Sequence, residues 1–371
     1  MKTAAHCATP YLHTNGVWIY NQISRLRRYR PVVLTQEAQN LEDFPVERLR
    51  TAQEYPAGKR LVNRLVRRLT GEYPFYAEIL HREGACLIHA HFGYQGCRCL
   101  RAKRHSGLPM LTSFYGADAT QFPKEQYWKK FYRRLFAAGE AFLAEGSSLA
   151  QRLEEAGCPP GKIRLHRLGV DLERIRFAER LPAEKVRFLI CAPFREKKGI
   201  PFALKALGRA RARRPFAFEV VLIGDGPERP KVLEAIRQAG LEDRVDWRGV
   251  QSYAQVLEEL PRCHILLQSS LTAADGDTEG GAPVILLDAQ ASGMPVISTW
   301  HADIPEYVRE GESGLLAPER DVEKLAECIL QLVGEPGRWV AMGRAGREHV
   351  EAHYHAARQA ERLEELYDAF T

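Results

Sequence analysis

Two acidic residues and the glycine turn between them are the first groups in this sequence that could do chemistry. They lie in TEGGAPVILLDAQASGMPVIST, Thr278–Thr299, where Gly280 and Gly281 follow Glu279 and Asp288 interrupts an apolar run. Adjacent glycines allow a tight turn and let a ligand approach the backbone closely. A buried carboxylate is costly unless it has fixed donors. Sugar or ribose hydroxyls would supply them, and so would a backbone amide.

The residues after the glycines predict a helix over Val284–Ser292. Pro283 suits the first position of a helix, and Gly293 is a natural C-terminal stop. The free N–H groups at a helix start attract anions such as phosphate. A ligand that carries both phosphate and hydroxyl groups is therefore expected at this turn.

A run of cations follows a predicted strand in PFREKKG, which contains Arg195, Lys197 and Lys198. Arginine offers phosphate two parallel donors, and lysine offers a point charge. A lone run of this kind is usually solvent-exposed charge, but its place at a strand end opposite the glycine turn favours phosphate binding. A third turn, IGDGPER, contains Gly224 but does not form the dinucleotide-binding motif G-x-G-x-x-G, so a nicotinamide-dependent enzyme is not expected.

Short apolar runs alternate along the chain with longer helical patterns, which is typical of parallel sheets covered by helices. The candidate strands are Pro31–Thr35, Cys86–Phe92, Pro109–Phe114, Ala141–Ala144, Ile163–His166, Arg187–Ala192, Phe218–Ile223, Val245–Arg248, His264–Gln268 and Pro295–Ser298. The pattern runs twice and predicts an α/β protein of two doubly wound, Rossmann-like domains, 1–172 and 173–350. A C-terminal helix in 351–371 is expected to cross back to the first domain. Ligands gather at the carboxyl ends of such strands, so we expect the two domains to face a central cleft that holds the site.

Composition limits the setting and suggests an anionic partner. A chain of 371 residues is longer than one hydrophobic core usually holds, which favours two domains. The sequence has no run of about 18 apolar residues that would suggest a membrane-spanning helix, and its first residues lack the apolar segment of a signal peptide. A cytoplasmic location with reduced thiols is expected. Residues 1–172 carry 26 Lys and Arg against 15 Asp and Glu, a net charge of +11, and the remainder carries −5. The first half is therefore expected to meet something anionic.

Two basic amphipathic segments, Lys59–Leu69 and Tyr127–Phe136, make an anionic membrane surface a candidate partner. The alternative is that their apolar faces pack on the sheet. If the segments bind an anionic membrane surface, the protein is expected to attach peripherally to the inner face of the membrane. Nucleic acid is not expected, because no nucleic-acid-binding motif is present.

The segments in this order resemble retaining glycosyltransferase family 4, which has the GT-B architecture. In the second half the matching segments are APFREKKG, VVLIGDGPER, RVDWRGV, EGGAPVILLDAQASGMPVIST and GESGLLAPERDVEKLAE. In the first half they are PYLHTNGVWIYNQI, IHAHFGYQG, TSFYGADAT and HRLGVD, which are most similar to the bacterial branch that builds exopolysaccharide, colanic-acid-type polymers or lipopolysaccharide. The resemblance implies transfer of a sugar from a nucleotide sugar to a glycan or lipid-linked acceptor in cell-surface polysaccharide biosynthesis. Retention is implied to follow from same-face attack, with the departing phosphate taking the proton of the acceptor.

The resemblance assigns catalytic roles to three residues. Glu279 contacts the transferred sugar, Lys198 matches the phosphate lysine, and Arg195 stands in for a family arginine that falls at Pro193. Asp288 is expected at the ribose, although eight residues separate it from Glu279 where the family has seven. The other donor-binding residues are Asn15, Gly16, Gly224, Arg248, Gly280, Gly281 and Ala282, and the acceptor-side residues are His91, Tyr115 and Asp118.

The resemblance implies no cofactor and no metal. His89 and His91 lie two residues apart and thus on one face of a strand, but the sequence shows no matching cluster of acids or cysteines, so a structural or acceptor-site role is favoured over a metal. Two other functions stay open. One is a GT-B phosphorylase that uses inorganic phosphate, and the other is a degenerate member that binds nucleotide sugar without turnover.

Overall fold

The computed structural model describes residues 1–13 and 16–371, and its chain divides into two compact units. Unit 1 is Met1–Gly169 together with Ala356–Thr371, and unit 2 is Val170–His355. The corresponding predicted boundaries are 172/173 and 350/351. Among the described residues, no helix is both long and apolar enough to cross a membrane.

Unit 1 is built on a seven-stranded parallel sheet in the order β3-β2-β1-β4-β5-β6-β7. Its strands are β1 (Lys2–Cys7), β2 (Tyr29–Thr35), β3 (Leu49–Thr51), β4 (Ala85–His91), β5 (Met110–Ser113), β6 (Ala141–Ala144) and β7 (Ile163–Leu165). Its helices are α1 (Val17–Ser24), α2 (Ala57–Thr70), α3 (Tyr76–Arg82), α4 (Gly93–Ser106), α5 (Ala117–Thr120), α6 (Gln126–Ala138), α7 (Ser147–Glu155) and the C-terminal α15 (Ala356–Asp368).

Unit 2 is built on a six-stranded parallel sheet in the order β10-β9-β8-β11-β12-β13. Its strands are β8 (Val186–Cys191), β9 (Phe218–Ile223), β10 (Val245–Trp247), β11 (Ile265–Leu267), β12 (Val296–Thr299) and β13 (Gly314–Ala317). Its helices are α8 (Ile200–Arg213), α9 (Arg229–Gln238), α10 (Tyr253–Glu259), α11 (Ile285–Ala291), α12 (Ile304–Tyr307), α13 (Val322–Gly334) and α14 (Trp339–His353). The prediction of two doubly wound α/β units is thus confirmed.

The strand pattern missed β1, although β1 pairs with both β2 and β4 in the middle of its sheet. The segment KTAAHC has neither the β-branched run nor the alternation that marks a strand in the sequence. Central parallel strands are covered on both faces, and small Ala4 and Ala5 are fully buried there. The strand is therefore specified by its neighbours more than by its own composition.

The cationic segment after β8 forms a short turn of its own before α8 begins. Glu196–Lys198 forms a short 3-10 turn, and Gly199 then adopts a left-handed conformation with φ of 61° before α8 begins. A Cβ at Gly199 would lie 1.8 Å from the Ser269 carbonyl oxygen, so glycine is required there. This break holds Lys198 at the end of β8.

Candidate functional site

A buried ion pair in unit 2 joins the cationic segment to the glycine turn. Lys198 Nζ lies 2.6 Å from Glu279 Oε2, and the Ser270 hydroxyl donates to Glu279 Oε1 at 2.7 Å. The Glu279 side chain is 5% exposed and that of Lys198 is 13% exposed. Three separate segments, each just beyond a strand end or at the glycine turn, therefore meet at one carboxylate.

Glu279 stays ionised in this setting because its partners outweigh burial. Burial by itself would raise the pKa of the Glu279 carboxyl. The positive charges of Lys198 and Lys197 and hydrogen bonds from Lys198 and Ser270 oppose this effect, so the pKa ends below its ordinary value. The group can offer a negative charge to a neighbouring ligand at neutral pH.

A histidine that the sequence analysis did not single out orients the backbone of Glu279. The Glu279 N–H donates to His301 Nε2 at 3.1 Å, and His301 Nδ1 lies 2.6 Å from Glu319 Oε1. Because Nε2 accepts, the proton of the neutral ring is on Nδ1, where it faces the carboxylate. His301 comes two residues after β12, and its position beyond a strand end is the signal that could have identified it.

Lys197, the other lysine of the cationic run, fastens the start of the glycine turn. Its Nζ donates to Asp277 Oδ1 at 3.1 Å and to the Thr278 carbonyl at 2.8 Å. The Thr278 hydroxyl accepts from the Gly280 N–H at 3.0 Å, and Gly280 has a left-handed φ of 78°. Lys197 is thus a structural cation, and Lys198 is the one that reaches Glu279.

Asp288 lies on α11, where its carboxylate is buried and accepts a hydrogen bond from the Tyr253 hydroxyl at 3.0 Å. The donor is a side chain from α10 and not a backbone amide. Burial raises the pKa of Asp288 to about 7, and the hydrogen bond from Tyr253 only partly offsets it. The carboxylate therefore needs a further donor to be ionised fully at neutral pH, which ligand hydroxyls would provide.

Cys191, at the end of β8, is affected by charges from both the Asp288 region and the Lys198–Glu279 region. Burial raises the pKa of its thiol to about 12, with the charge of Asp288 adding to the effect and that of Lys198 opposing it. Charges from both regions therefore act on the carboxyl end of β8. This is where a ligand of a parallel sheet is expected.

Asp288→Asn is expected to stabilise the ligand-free protein above pH 7 while weakening the binding of a ligand with hydroxyl groups. The pKa of Asp288 in the fold is above that of an ordinary Asp. The carboxyl thus carries no penalty below about pH 4, and the penalty grows as the pH rises towards 7. The free energies of unfolding of both proteins, obtained from thermal melts between pH 4 and 8, should diverge with rising pH. The difference should reach roughly 4 kcal/mol at most. Parallel curves at all pH values would contradict this account.

The remaining donor-side candidates differ in their surroundings. Gly224 has a φ of 132°, and a Cβ there would lie 1.9 Å from the Ala192 carbonyl, so this turn requires glycine. Arg248 pairs with Asp246 and with the buried Glu259, at 2.6 Å for the latter. Its guanidinium is thus already occupied by carboxylates.

Four donor-side positions remain. Ala282 is buried beside the glycine turn. Gly16 precedes α1, where a Cβ would lie 2.9 Å from that of Leu12. Asn15 lies outside the described residues. Gly281 accepts a hydrogen bond from the Asp303 N–H at 3.1 Å, which ties the glycine turn to the segment before α12.

Arg195 is exposed, and no described residue forms an ion pair or hydrogen bond with its guanidinium. Its backbone is held, since the Lys198 N–H donates to the Arg195 carbonyl at 3.0 Å. Among the described residues the side chain is thus an unpaired cation, on a fixed turn next to Lys198.

The acceptor-side candidates lie together in unit 1. His91 Nδ1 is 2.7 Å from the Tyr115 hydroxyl. The Asp118 carboxylate accepts hydrogen bonds from the N–H groups of Gly93, Tyr115 and Gly116 at 2.8–3.1 Å. Asp118 therefore fastens two loops at strand ends, while His91 and Tyr115 are bonded to each other.

His6, on the missed strand β1, joins His89 and His91 in a buried cluster whose ligand atoms lie within 4.8 Å of one another. The separation would suit a metal, but the nitrogens are largely committed. His6 Nδ1 bonds His91 Nε2 at 3.0 Å, and both nitrogens of His89 bond hydroxyls of Ser113 and Tyr367. Burial lowers the pKa of His6 to about 3, and the pKa values of His89 and His91 also fall well below the ordinary value. The cluster is a neutral hydrogen-bonded network.

Both halves of the chain match known protein families. Residues 16–174 match the family model "Glycosyltransferase Family 4", and residues 185–335 match "Glycosyl transferases group 1".

Curated relatives extend the match over most of the chain. The amylovoran biosynthesis glycosyltransferase AmsK of Erwinia amylovora is 36% identical over 283 residues, which are 74% of this chain and 69% of that protein. The putative colanic acid biosynthesis glycosyltransferase WcaL of Salmonella typhimurium is 35% identical over 245 residues, 65% of this chain and 60% of that protein.

Among solved structures, Anabaena Alr3699/HepE in complex with UDP-glucose has the same fold. Its TM-score is 0.80 at 15% identity, and both chains are covered completely. Both units therefore follow the GT-B pattern of two parallel sheets with helices.

Proposed function

Because this chain belongs to the family 4 glycosyltransferases, we propose that it transfers a sugar from a nucleotide sugar to a glycan or lipid-linked acceptor in the assembly of a cell-surface polysaccharide. The relatives AmsK and WcaL, which are named for amylovoran and colanic acid biosynthesis, support a role in polysaccharide assembly. The UDP-glucose complex of HepE supports a nucleotide-sugar donor. The observation that carries the proposal is the buried Lys198–Glu279 pair at the end of β8, which sets a cation for phosphate beside a carboxylate for a sugar.

The charges in this pair suit the bond that must break. Cleavage of the sugar–phosphate bond puts negative charge on the diphosphate and positive charge on the sugar ring. In the proposed complex Lys198 turns to the diphosphate and Glu279 faces the sugar. Glu279 is held in place by the hydrogen bond from the Ser270 hydroxyl and by the bond from its own N–H to His301. Fixed charges aimed at developing charges lower a barrier more than mobile solvent does.

No protein base is required if the leaving phosphate takes the proton of the acceptor hydroxyl from the same face of the sugar. Retention of configuration is part of this proposal. We also infer that cationic side chains, with no metal, neutralise the diphosphate. Activity that disappears in EDTA and returns with Mg²⁺ would contradict that inference.

The donor can be identified by thermal shift with UDP-, GDP- and ADP-sugars, followed by transfer to a lipid-linked acceptor. A ligand at 100 times its dissociation constant stabilises the folded state by about 2.7 kcal/mol. Stabilisation by one nucleotide class together with transfer supports the proposal. Sugar phosphate formed from inorganic phosphate without a nucleotide would instead indicate a phosphorylase, and tight binding without turnover a degenerate member.

Arg195→Ala is expected to weaken nucleoside diphosphate binding and transfer together, by about tenfold, since a charge-assisted hydrogen bond contributes roughly 1.5–3 kcal/mol. Isothermal titration with the nucleoside diphosphate measures this. The half-buried Arg211 of α8, which instead donates to the Gly240 carbonyl, is the control. If Arg195→Ala behaves like Arg211→Ala, Arg195 is a surface charge and does not replace the arginine that falls at Pro193.

We further propose that unit 1 docks on the anionic inner face of the membrane through α2. The two candidate segments differ in the structure. In α6 the apolar residues Tyr132, Leu135 and Phe136 are buried in the core of unit 1. In α2 no residue is buried, and Leu65 and Leu69 are 51% and 84% exposed.

The membrane proposal predicts that the protein floats with anionic vesicles and not with neutral ones at low salt. Leu65→Gln together with Leu69→Gln should reduce the floated fraction severalfold without changing the thermal midpoint, because neither side chain is packed. Equal recovery with neutral and anionic vesicles would rule the membrane role out.

A further inference from the structure

The carboxylate of Asp288 has one oxygen bonded within the protein and one oxygen left open. Oδ1 accepts a hydrogen bond from the Tyr253 hydroxyl at 3.0 Å. Among residues 1–13 and 16–371, no other group bonds this carboxylate, so Oδ2 has no partner. Oδ2 is not closed off from solvent, although Asp288 as a whole is only 3% exposed. A buried carboxylate with one open oxygen is set to accept a donor from a ligand.

Tyr253 is fixed in place before any ligand binds. It is the first residue of α10, directly after a capping box in which Ser252 and Gln255 each accept a hydrogen bond from the backbone N–H of the other. The guanidinium of Arg174 lies over the tyrosine ring, 5.6 Å from its centroid. The helix start and this cation therefore set the position of the hydroxyl that bonds Asp288.

The Tyr253 hydroxyl remains a hydrogen-bond donor at every pH at which the protein would work. Burial, and after it the charge of Asp288, raise the pKa of this hydroxyl far above its ordinary value. The bond in turn favours the ionised form of Asp288, whose pKa burial raises to about 7. Loss of the hydroxyl would leave this carboxyl protonated at neutral pH, and a protonated carboxyl has less capacity to accept hydrogen bonds.

We propose that Tyr253 positions Asp288 for the ribose of the donor, so that Oδ1 stays on the tyrosine and Oδ2 accepts a ribose hydroxyl. The inference rests on the proposed function and narrows its substrate class to ribonucleotide sugars, since a deoxyribose offers one hydroxyl fewer. Tyr253 is a positioning residue, because it acts through Asp288 rather than on the nucleotide. The bond that it makes is present in the ligand-free protein, so the carboxylate is oriented in advance.

Tyr253→Phe is expected to weaken nucleoside diphosphate binding about tenfold at pH 7, because a charge-assisted hydrogen bond is lost. That bond is remote from the one that breaks, so the donor KM should rise while kcat changes less than about twofold. Isothermal titration with UDP, GDP and ADP measures the affinity. Tyr354→Phe is the matched control, since it removes another tyrosine hydroxyl of unit 2, which donates to the Glu306 carbonyl at 2.9 Å. The control should leave the affinity unchanged.

The pH profile of binding separates this role from packing. The groups that face Asp288 are the Tyr253 hydroxyl, with Arg174 over its ring, and the Cys191 thiol, on which Lys198 also acts; burial raises the pKa of this thiol to about 12, so it stays protonated. The deficit of Tyr253→Phe should shrink at least about threefold from pH 7 to 9, because Asp288 then ionises without the hydroxyl. Asp288→Asn removes this titration, and ionisation of the ligand phosphate is common to all variants. A deficit that is equal at every pH means that Tyr253 acts through packing, which overturns the proposal.

Deoxyribose forms of the nucleotide test the open oxygen. In the parent, the 2′-deoxy or the 3′-deoxy form of the diphosphate that binds should bind about tenfold more weakly at pH 7 than the ribose form. In Asp288→Asn that difference should fall below about threefold, because the charged acceptor is gone. Equal affinity of the parent for all three forms would refute the ribose contact.

The outcome is separable from that of the proposed function. If the parent binds a nucleoside diphosphate and transfers sugar while Tyr253→Phe behaves like Tyr354→Phe, the inference about Tyr253 alone is wrong. If the parent binds none of UDP, GDP and ADP, the nucleotide-sugar donor of the proposed function is wrong, and the inference is refuted with it.

Discussion

Glu279→Gln is expected to lower kcat by roughly 10²–10³ while binding of free nucleoside diphosphate stays nearly intact. The loss has the size typical of removing one preorganised electrostatic contact. Glu279 is an ionised, buried carboxylate at the turn where the sugar is expected to meet the phosphates. Its charge matters most when positive charge develops on the sugar ring, so its removal affects turnover more than ground-state binding. Steady-state kinetics with the donor, together with titration by the nucleoside diphosphate, measure the two effects.

Asp288→Asn is the contrasting variant. Asp288 bonds the Tyr253 hydroxyl and is expected to face the ribose, remote from the bond that breaks. Its loss should mostly raise the donor KM and weaken nucleoside diphosphate binding. The opposite pattern, with Glu279 controlling affinity and Asp288 controlling turnover, would show that the extra residue between the two acids has shifted their roles.

Lys198→Ala is expected to destabilise the protein by about 3–5 kcal/mol at neutral pH and to abolish tight nucleoside diphosphate binding. Removing one partner of a buried ion pair leaves the other charge uncompensated, and here Glu279 would be left in a site that is almost closed to water. Chemical denaturation and nucleotide titration measure the two losses. The exposed Lys205 of α8 provides the control, Lys205→Ala, which should change neither.

The pH dependence and a double variant test the same explanation. The pKa of Glu279 in the parent is below its ordinary value, so the carboxyl favours folding above about pH 4.5 and loses that contribution as the pH falls through its folded-state value. In Lys198→Ala the carboxyl can protonate, so the stability gap should narrow in acid. Lys198→Met with Glu279→Gln should recover most of the stability but no transfer. A double variant as unstable as Lys198→Ala would mean that the lysine acts through packing rather than charge.

Chemically distinctive residues at strand ends were predictable from the sequence. Lys198 was identified because it follows an apolar strand, and parallel strands put such positions at one edge of a sheet. Glu279 and the glycine turn were identified because they stand immediately before an apolar helix. The family and the α/β fold were also predictable, and both are confirmed. The partners of the site were not predictable, since Ser270 and His301 reach Glu279 only after chain folding brings separate strand ends together.

The sequence by itself determined the alternation of strands and helices, the excess of positive charge in the first half and the presence of two basic amphipathic segments. Only the tertiary structure decided that α6 buries its apolar face while no residue of α2 is buried. It also decided that Arg248 is occupied by Glu259, while Arg195 has no side-chain partner among the residues that the structure describes. The physical reason is that periodicity and residue type state which face is apolar and which group is charged. What covers that face, or pairs with that charge, depends on residues distant in the chain.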